Sequence, residues 1–189
     1  MYPINQRSSR LELRELTTDD VDGVHAIYGS AEVTAHLSFE PRTREQVELI
    51  VERSVAAAGT TPRDEYALAV IERGTAELIG FARLAFDPHQ HHGATIGFAL
   101  RADKWGIGYG VDTVQLLLEV GFDDLKLHRI WGARSPHNSA SAKTMNTVGM
   151  REDYTIREHI QKAGQWRDSV VHTVLRHEWK PIEAGLKEG

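Results

Sequence analysis

The chain has 189 residues, with 22 Lys+Arg against 27 Asp+Glu and a formal charge of −5. That length fits one compact domain at roughly 100–200 residues per domain, and the 41% hydrophobic and 26% charged content excludes disordered, collagen-like and coiled-coil chains. Without cysteine there is no disulfide framework, thiolate metal site or cysteine nucleophile, and the mild acidity argues against broad nucleic-acid binding, which needs a basic face.

Met1 to Arg10 is polar and lacks the apolar core of a secretory signal. It reads as a flexible segment ahead of a domain over residues 11–180, with a tail at 181–189. The most apolar run, Val114 to Phe122, is broken by Gln115 and Glu119 and falls short of the ~20 residues a membrane helix needs. A cytoplasmic protein with no membrane or nucleic-acid partner is expected.

Leu11, Leu13 and Leu16 sit among charged residues as in an edge strand. Thr17 and Thr18 then cap a helix to about Tyr28, with Asp19 and Asp20 in its first turn. Thr43 and Gln46 form a capping box that opens a helix to about Ala58. Tyr66–Glu72, Glu77–Phe86 and Thr95–Arg101 read as sequential antiparallel strands between Gly-, Pro- and His-rich turns. A helix from Val111 to about Phe122 follows, then a strand at Arg129–Arg134 and a helix at about Ser139–Thr147. Two last strands, about Arg151–Gln161 and Gln165–Trp179, meet at Lys162-Ala163-Gly164. The expectation is an α/β single domain: a mixed, mostly antiparallel sheet of about seven strands, flanked by about four helices.

The segment Lys104-Trp105-Gly106-Ile107-Gly108-Tyr109-Gly110 lies between a strand and a helix. Alternating glycines admit positive φ and close backbone approach to a ligand. Their N–H groups, with the positive end of the next helix, suit a phosphate or pyrophosphate. Taken alone, the glycines fit a linking turn equally well. Val111-Asp112 after Gly110 excludes the Gly-Lys-Ser/Thr of a P-loop. Val111 also stands where the dinucleotide fingerprint requires glycine.

Trp105-Gly106-Ile107-Gly108-Tyr109-Gly110 resembles the acyl-CoA pyrophosphate loop of the GNAT N-acetyltransferase superfamily, in the branch of the ribosomal-protein N-terminal (alanine/serine) acetyltransferases. Other segments match in order: Ala31-Glu32-Val33-Thr34 through Pro41-Arg42-Thr43, His128-Arg129-Ile130, and Asn138-Ser139-Ala140-Ser141. So do Gly149-Met150, Arg157, and Gly164-Gln165-Trp166-Arg167-Asp168 through Glu178-Trp179. The match spans roughly Leu11 to Trp179.

The resemblance implies the GNAT fold and an N-acetyltransferase using acetyl-CoA as cosubstrate, with no metal. Gly106 to Gly110, with Ile107 and Tyr109 through their backbones, would hold the pyrophosphate, and Trp105 would pack under the loop. The strand ending near Leu100 would splay from Arg129–Arg134 and leave a gap for pantetheine. Asn138 would contact pantetheine or cap its helix, and Lys143 would approach the 3′-phosphate. The acceptor would be a primary amine, on a peptide or protein N-terminus or a small molecule, attacking the thioester directly in a ternary complex. Homodimers are compatible with this branch.

Met145 stands where the family often has a catalytic Tyr, leaving Ser141 beside the departing sulfur. Thr95 stands where a carboxylate is common, so the base is sought in Glu158 or His92. A solvated strand glutamate and a polar hairpin loop, His89-Gln90-His91-His92, are the plain readings of those two. The histidine cluster lacks a carboxylate or cysteine at metal-ligand spacing. Two alternatives stand beside this reading: a non-catalytic CoA-binding module, supported by the departures at Met145 and Thr95, or a longer or carrier-bound acyl donor.

Overall fold

The computed structural model describes residues 3–182. Eight strands form one sheet: β1 (Asn5–Arg7), β2 (Leu11–Glu15), β3 (Glu65–Glu72), β4 (Glu77–Phe86), β5 (Gly93–Leu100), β6 (Arg129–Arg134), β7 (Arg151–Lys162) and β8 (Gln165–Leu175). Their order is β1-β2-β3-β4-β5-β6-β8-β7. Five α-helices accompany it: α1 (Val21–Tyr28), α2 (Ala31–Thr34), α3 (Arg44–Ala58), α4 (Tyr109–Glu119) and α5 (Ser139–Thr147). The additions to the expected count are β1 and the four-residue α2. Part of the N-terminal segment thus pairs with β2, Asn5 opposite Arg14; most of the expected C-terminal tail lies outside the described residues.

Both faces of the sheet are covered, and β3 shows why its sequence is a nearly unbroken apolar run. Tyr66, Leu68 and Val70 join the core beneath α4, with Leu116, Leu117 and Phe122. Ala67, Ala69 and Ile71 face the other way, toward Val24 of α1 and Val47 and Val51 of α3.

Local signals are realised in detail. The α3 capping box is present: Gln46 N–H donates to Thr43 Oγ1 at 3.3 Å and Thr43 N–H to Gln46 Oε1 at 3.1 Å. The expected start of α1 differs, because Thr18–Asp20 is a 3-10 turn. There Asp20 accepts from the Arg14 guanidinium at 2.7 and 2.8 Å and from Thr17 N–H at 2.7 Å, so it serves as an ion-pair partner to β2. The hairpin between β7 and β8 turns through Ala163 (φ 49°) and Gly164 (φ 75°), the two positive-φ residues a tight primed turn requires.

All neighbouring strands are antiparallel except β5 and β6. That parallel pair holds register at only three positions, Gly93–Arg129, Ala94–Ile130 and Thr95–Trp131, and then separates. The sheet is therefore split from one end. Gly93 O accepts from Asp87 N–H, and Arg101 N–H donates to Ile79 O, so the odd-numbered residues of β5 bond to β4. By the alternation of an antiparallel ladder, Ile96 and Phe98 turn their backbone groups into the gap.

Candidate active site

Two cavities meet in this split. One, of about 510 Å³, runs from the glycine loop along α4 and α5. The other, of about 380 Å³, lies between α1, the α2–α3 loop and strands β4, β5, β6, β7 and β8. His36, Leu37, Phe98, Ala99, Asn138 and Ser141 line both, so these residues mark the junction.

The first cavity begins at the glycine loop. Gly106 and Gly108 have φ of +77° and +90°, where glycine is favoured. Among the described residues, no protein group accepts from the backbone N–H groups of Gly106, Ile107 and Gly108. Those of Tyr109, Gly110 and Val111 are the orphan donors of the first turn of α4. Together with the helix dipole they form a neutral but electropositive cradle.

Contacts from outside hold the loop in place. The Trp105 indole N–H donates to Leu100 O at 3.0 Å, tying the loop to the end of β5. Arg10 donates to Ile107 O at 2.8 Å and pairs with Asp112 at 2.8 Å. Tyr109 turns its ring away from the cavity, under the Arg10 guanidinium. Lys104 bonds to Glu72 at 2.7 Å, so its charge is largely matched. Gly106, Gly108 and Gly110 line the cavity with Leu100, Lys104 and Trp105, whereas the side chains of Ile107 and Tyr109 do not.

α5 forms the opposite wall. Asn138 caps it, its Oδ1 accepting from Ser141 N–H at 2.9 Å, and still lines both cavities. The Ser141 hydroxyl makes no hydrogen bond among the described residues, and Ser141 lines both cavities at their junction. Ala140, Lys143, Thr144 and Thr147 also line the wall, at the i, i+3, i+4, i+7 spacing of one helix face. That face was legible in the sequence; of it, only Lys143 was singled out there. Lys143 is exposed.

The second cavity has an aromatic wall. Tyr28 packs on Phe39 and Phe81 with ring centroids 4.8 and 5.1 Å apart. Burial pushes the Tyr28 hydroxyl well above the usual tyrosine range, so it stays protonated. Met145 is buried at the inner end and Thr95 lines the side. The lining contains Arg83, Arg134, Arg167, His36 and His159, and no Asp or Glu.

The two residues expected to supply a base lie elsewhere. Glu158 is exposed on a bulge of β7, at φ 48°, with its N–H donating to Asp168 Oδ1 at 2.8 Å. The pairing register shifts between Ile156 and Ile160, and this brings His159 and Ile160 to the cavity in its place. His92 is exposed at the closed end of the split, at φ 55°. Its carbonyl accepts from His128 N–H at 2.8 Å, where β5 and β6 begin to pair, and its side chain lines neither cavity. Among the described residues, no group of three or more His, Cys, Asp or Glu could hold a metal ion. No helix there is long and apolar enough to cross a membrane.

A sheet split between two parallel strands, with an anion-cradling loop at its mouth, defines an acyltransferase type of α/β domain. The chain belongs to the GNAT acetyltransferase domain family, whose model matches residues 10–151. It is 25% identical over 177 residues to the uncharacterized N-acetyltransferase p20 of Bacillus licheniformis, covering 91% of this chain and 96% of that one. The fold is similar to that of the ribosomal-protein-S5-alanine acetyltransferase of Vibrio fischeri, at TM-score 0.76 and 19% identity, covering 94% of this chain and all of that one. It is likewise similar to the spermidine N-acetyltransferase of Vibrio cholerae, in complex with CoA and spermine. That match has TM-score 0.78 and 19% identity, covering 90% of this chain and 98% of that one.

Proposed function

We propose that the protein transfers an acetyl group from acetyl-CoA to a primary amine, by direct attack in a ternary complex. The observation that carries this reading is the junction of the two cavities in the β5–β6 split, with Ser141 facing both. The first cavity fits CoA: positive-φ glycines, unpartnered N–H groups, Lys143, and no carboxylate in its lining. The backbone from Gly106 to Gly110 receives the pyrophosphate, and Lys143, on the facing α5 wall, is the partner for a further phosphate. Pantetheine lies in the split along the backbone of Ile96 and Phe98, with Asn138 beside it.

In the second cavity the neutral amine attacks the thioester carbonyl carbon, forming the C–N bond as the C–S bond breaks. The amine proton leaves to a base and the thiolate sulfur takes up a proton. Ser141 donates a hydrogen bond to that sulfur, and water supplies the proton, because an alcohol is too weak an acid to do so alone. An imidazole nitrogen can accept a proton from the amine, and His36 and His159 are the imidazoles in the cavity lining. They replace Glu158 and His92 as the groups we assign to the amine proton, directly or through water.

The acceptor is a small amine in preference to a polyamine. Spermine, the ligand of the Vibrio cholerae neighbour, is a polycation, and this cavity offers no carboxylate to meet one. A non-catalytic CoA-binding module is the second reading, favoured by buried Met145 and by Thr95 in the same lining. Calorimetric titration with acetyl-CoA, with ATP and NAD as controls, followed by assay of free CoA with a panel of amines, separates them. Acetyl-CoA binding with amine-dependent CoA release supports the enzyme; binding without release supports the module. No binding by folded protein refutes both.

A further inference from the structure

The second cavity has a consistent sign of charge. Arg83, Arg134 and Arg167 line it, its two imidazoles can only add positive charge, and it has no Asp or Glu. The three arginines are not equivalent. Arg83 is paired with Glu65 at 2.6 Å, and both side chains are well exposed. Arg134 has four of its five N–H donors in use: it donates to His172 Nε2 at 3.0 Å, to Ser135 O and Pro136 O at 3.1 and 3.2 Å, and to Glu152 at 3.1 Å.

Arg167 is different. It donates one long bond, Nη2 to Leu37 O at 3.3 Å, and has no carboxylate partner among the described residues. Its Nε is buried without a hydrogen-bond partner. No protein group among the described residues accepts from Arg167 Nη1, so its Nη1–Nη2 edge is the fork left free to match two oxygens, and leaving such a charge unpaired is costly. The neighbouring Lys162 Nζ donates to Thr34 O, Ala35 O and Leu37 O, so the β7–β8 hairpin holds the α2–α3 loop over this side of the cavity. The cavity volume of about 380 Å³ is small-ligand size.

We propose that the acceptor is a small amine that also carries an anionic group, a carboxylate or a phosphoryl oxygen, and that Arg167 is the specificity residue that binds it. The inference rests on the acetyltransferase reading above and names its substrate class. The anion completes the Arg167 guanidinium, and the amine at the other end of the molecule points toward Ser141 and the thioester. Specificity follows because a neutral or cationic acceptor leaves Arg167 unpaired in a positive cavity.

The test is a matched panel assayed for CoA release: α-amino acids, their carboxamides, the corresponding aminoalkylphosphonates, and diamines. The carboxamides have the less basic amines, so intrinsic reactivity near pH 7 favours them, and any preference for the acid comes from binding. The expected result is kcat/KM at least about 10-fold higher for an acid or a phosphonate than for its carboxamide. The two anionic series tell which oxygen acid is read. In Arg167→Gln that ratio collapses toward one through a higher acceptor KM, with KM for acetyl-CoA unchanged. Arg167→Lys restores part of the ratio, which a purely structural role would not. Equal use of acids and carboxamides, preference for diamines, or an unchanged ratio in folded Arg167→Gln overturns the inference. If neither this panel nor the wider amine panel above releases CoA, the acetyltransferase reading on which the inference rests is overturned; release by other amines alone overturns the inference.

Discussion

The Tyr109 hydroxyl donates to Glu72 Oε1 at 2.5 Å, so a carboxylate at the end of β3 holds the glycine loop from 37 residues away. Lys104, at the other end of the loop, takes Oε2 at 2.7 Å, and Thr75 donates to the same oxygen at 2.8 Å. These donors, Lys104 foremost, hold the Glu72 carboxyl down to about 2 from an ordinary 4.5. A depressed carboxylate stabilises the fold fully above its unfolded pKa of 4.5, and that contribution drains away as pH falls toward about 2. Glu72→Gln is therefore expected to lower Tm at pH 7, with a gap from wild type that narrows toward pH 3. It should also raise the Kd for acetyl-CoA, because both ends of the loop lose their anchor. Melting curves at the two pH values and a calorimetric titration check these outcomes.

A side chain at position 108 meets two obstacles. The backbone there has φ +90°, and a Cβ would lie 3.0 Å from Arg10 Nη2. Gly108→Val is expected to displace Arg10 and the loop, weakening acetyl-CoA binding by about 10-fold or more while the sheet core stays folded. Unchanged affinity in a folded variant would refute the assignment of the loop. Gly110 is less demanding, since its Cβ would meet the Thr144 side chain at 3.2 Å and the Phe98 ring at an ordinary 3.6 Å, with no positive φ, and Gly110→Ala should cost less than Gly108→Val.

Ser141 has an uncommitted hydroxyl at the meeting of the two cavities, while its backbone N–H is already bonded to Asn138. Removing only the hydroxyl leaves the cap of α5 intact. Ser141→Ala is expected to lower kcat about 10-fold or more with little change in KM for acetyl-CoA. Steady-state kinetics with both substrates varied will show it; equal loss in binding and turnover would mark Ser141 as a binding residue only.

His172 is fully buried on β8, and its Nε2 accepts from Arg134 Nε at 3.0 Å. Burial first, and then the adjacent guanidinium, push its pKa below the ordinary 6.5. The folded state thus binds the proton less well than the unfolded chain, so this stabilising contribution is complete above pH 6.5 and is lost progressively as pH falls below it. A plot of Tm against pH should fall in this range, and His172→Gln, which keeps an acceptor for Arg134, should flatten that slope. An unchanged slope would show that other groups govern acid lability.

Several features could be read directly. The alternation and the continuous apolar run of β3, the Thr43–Gln46 box and the Ala163-Gly164 turn are local, because capping and turn conformations depend on neighbours a few residues apart. β1 escaped notice because three polar residues carry no hydrophobic period; its place is decided by pairing with β2. Glu158 and His159 illustrate a stricter limit. Adjacent strand residues face opposite ways, and one bulge exchanges them, yet nothing in their spacing announces the register shift between Ile156 and Ile160.

The sequence by itself determined the GNAT family, the glycine loop and the capping role of Asn138, since each is written in contiguous residues whose backbone demands are local. Only the tertiary structure decided how far β5 and β6 stay paired, which side chains of the α2–α3 loop and the β7–β8 hairpin converge on the second cavity, and the sign of its charge. Arg83, Arg134 and Arg167 lie on three different strands and acquire a common environment only when the sheet forms. The field in that cavity is a sum over distances in space, and separation along the chain does not set those distances.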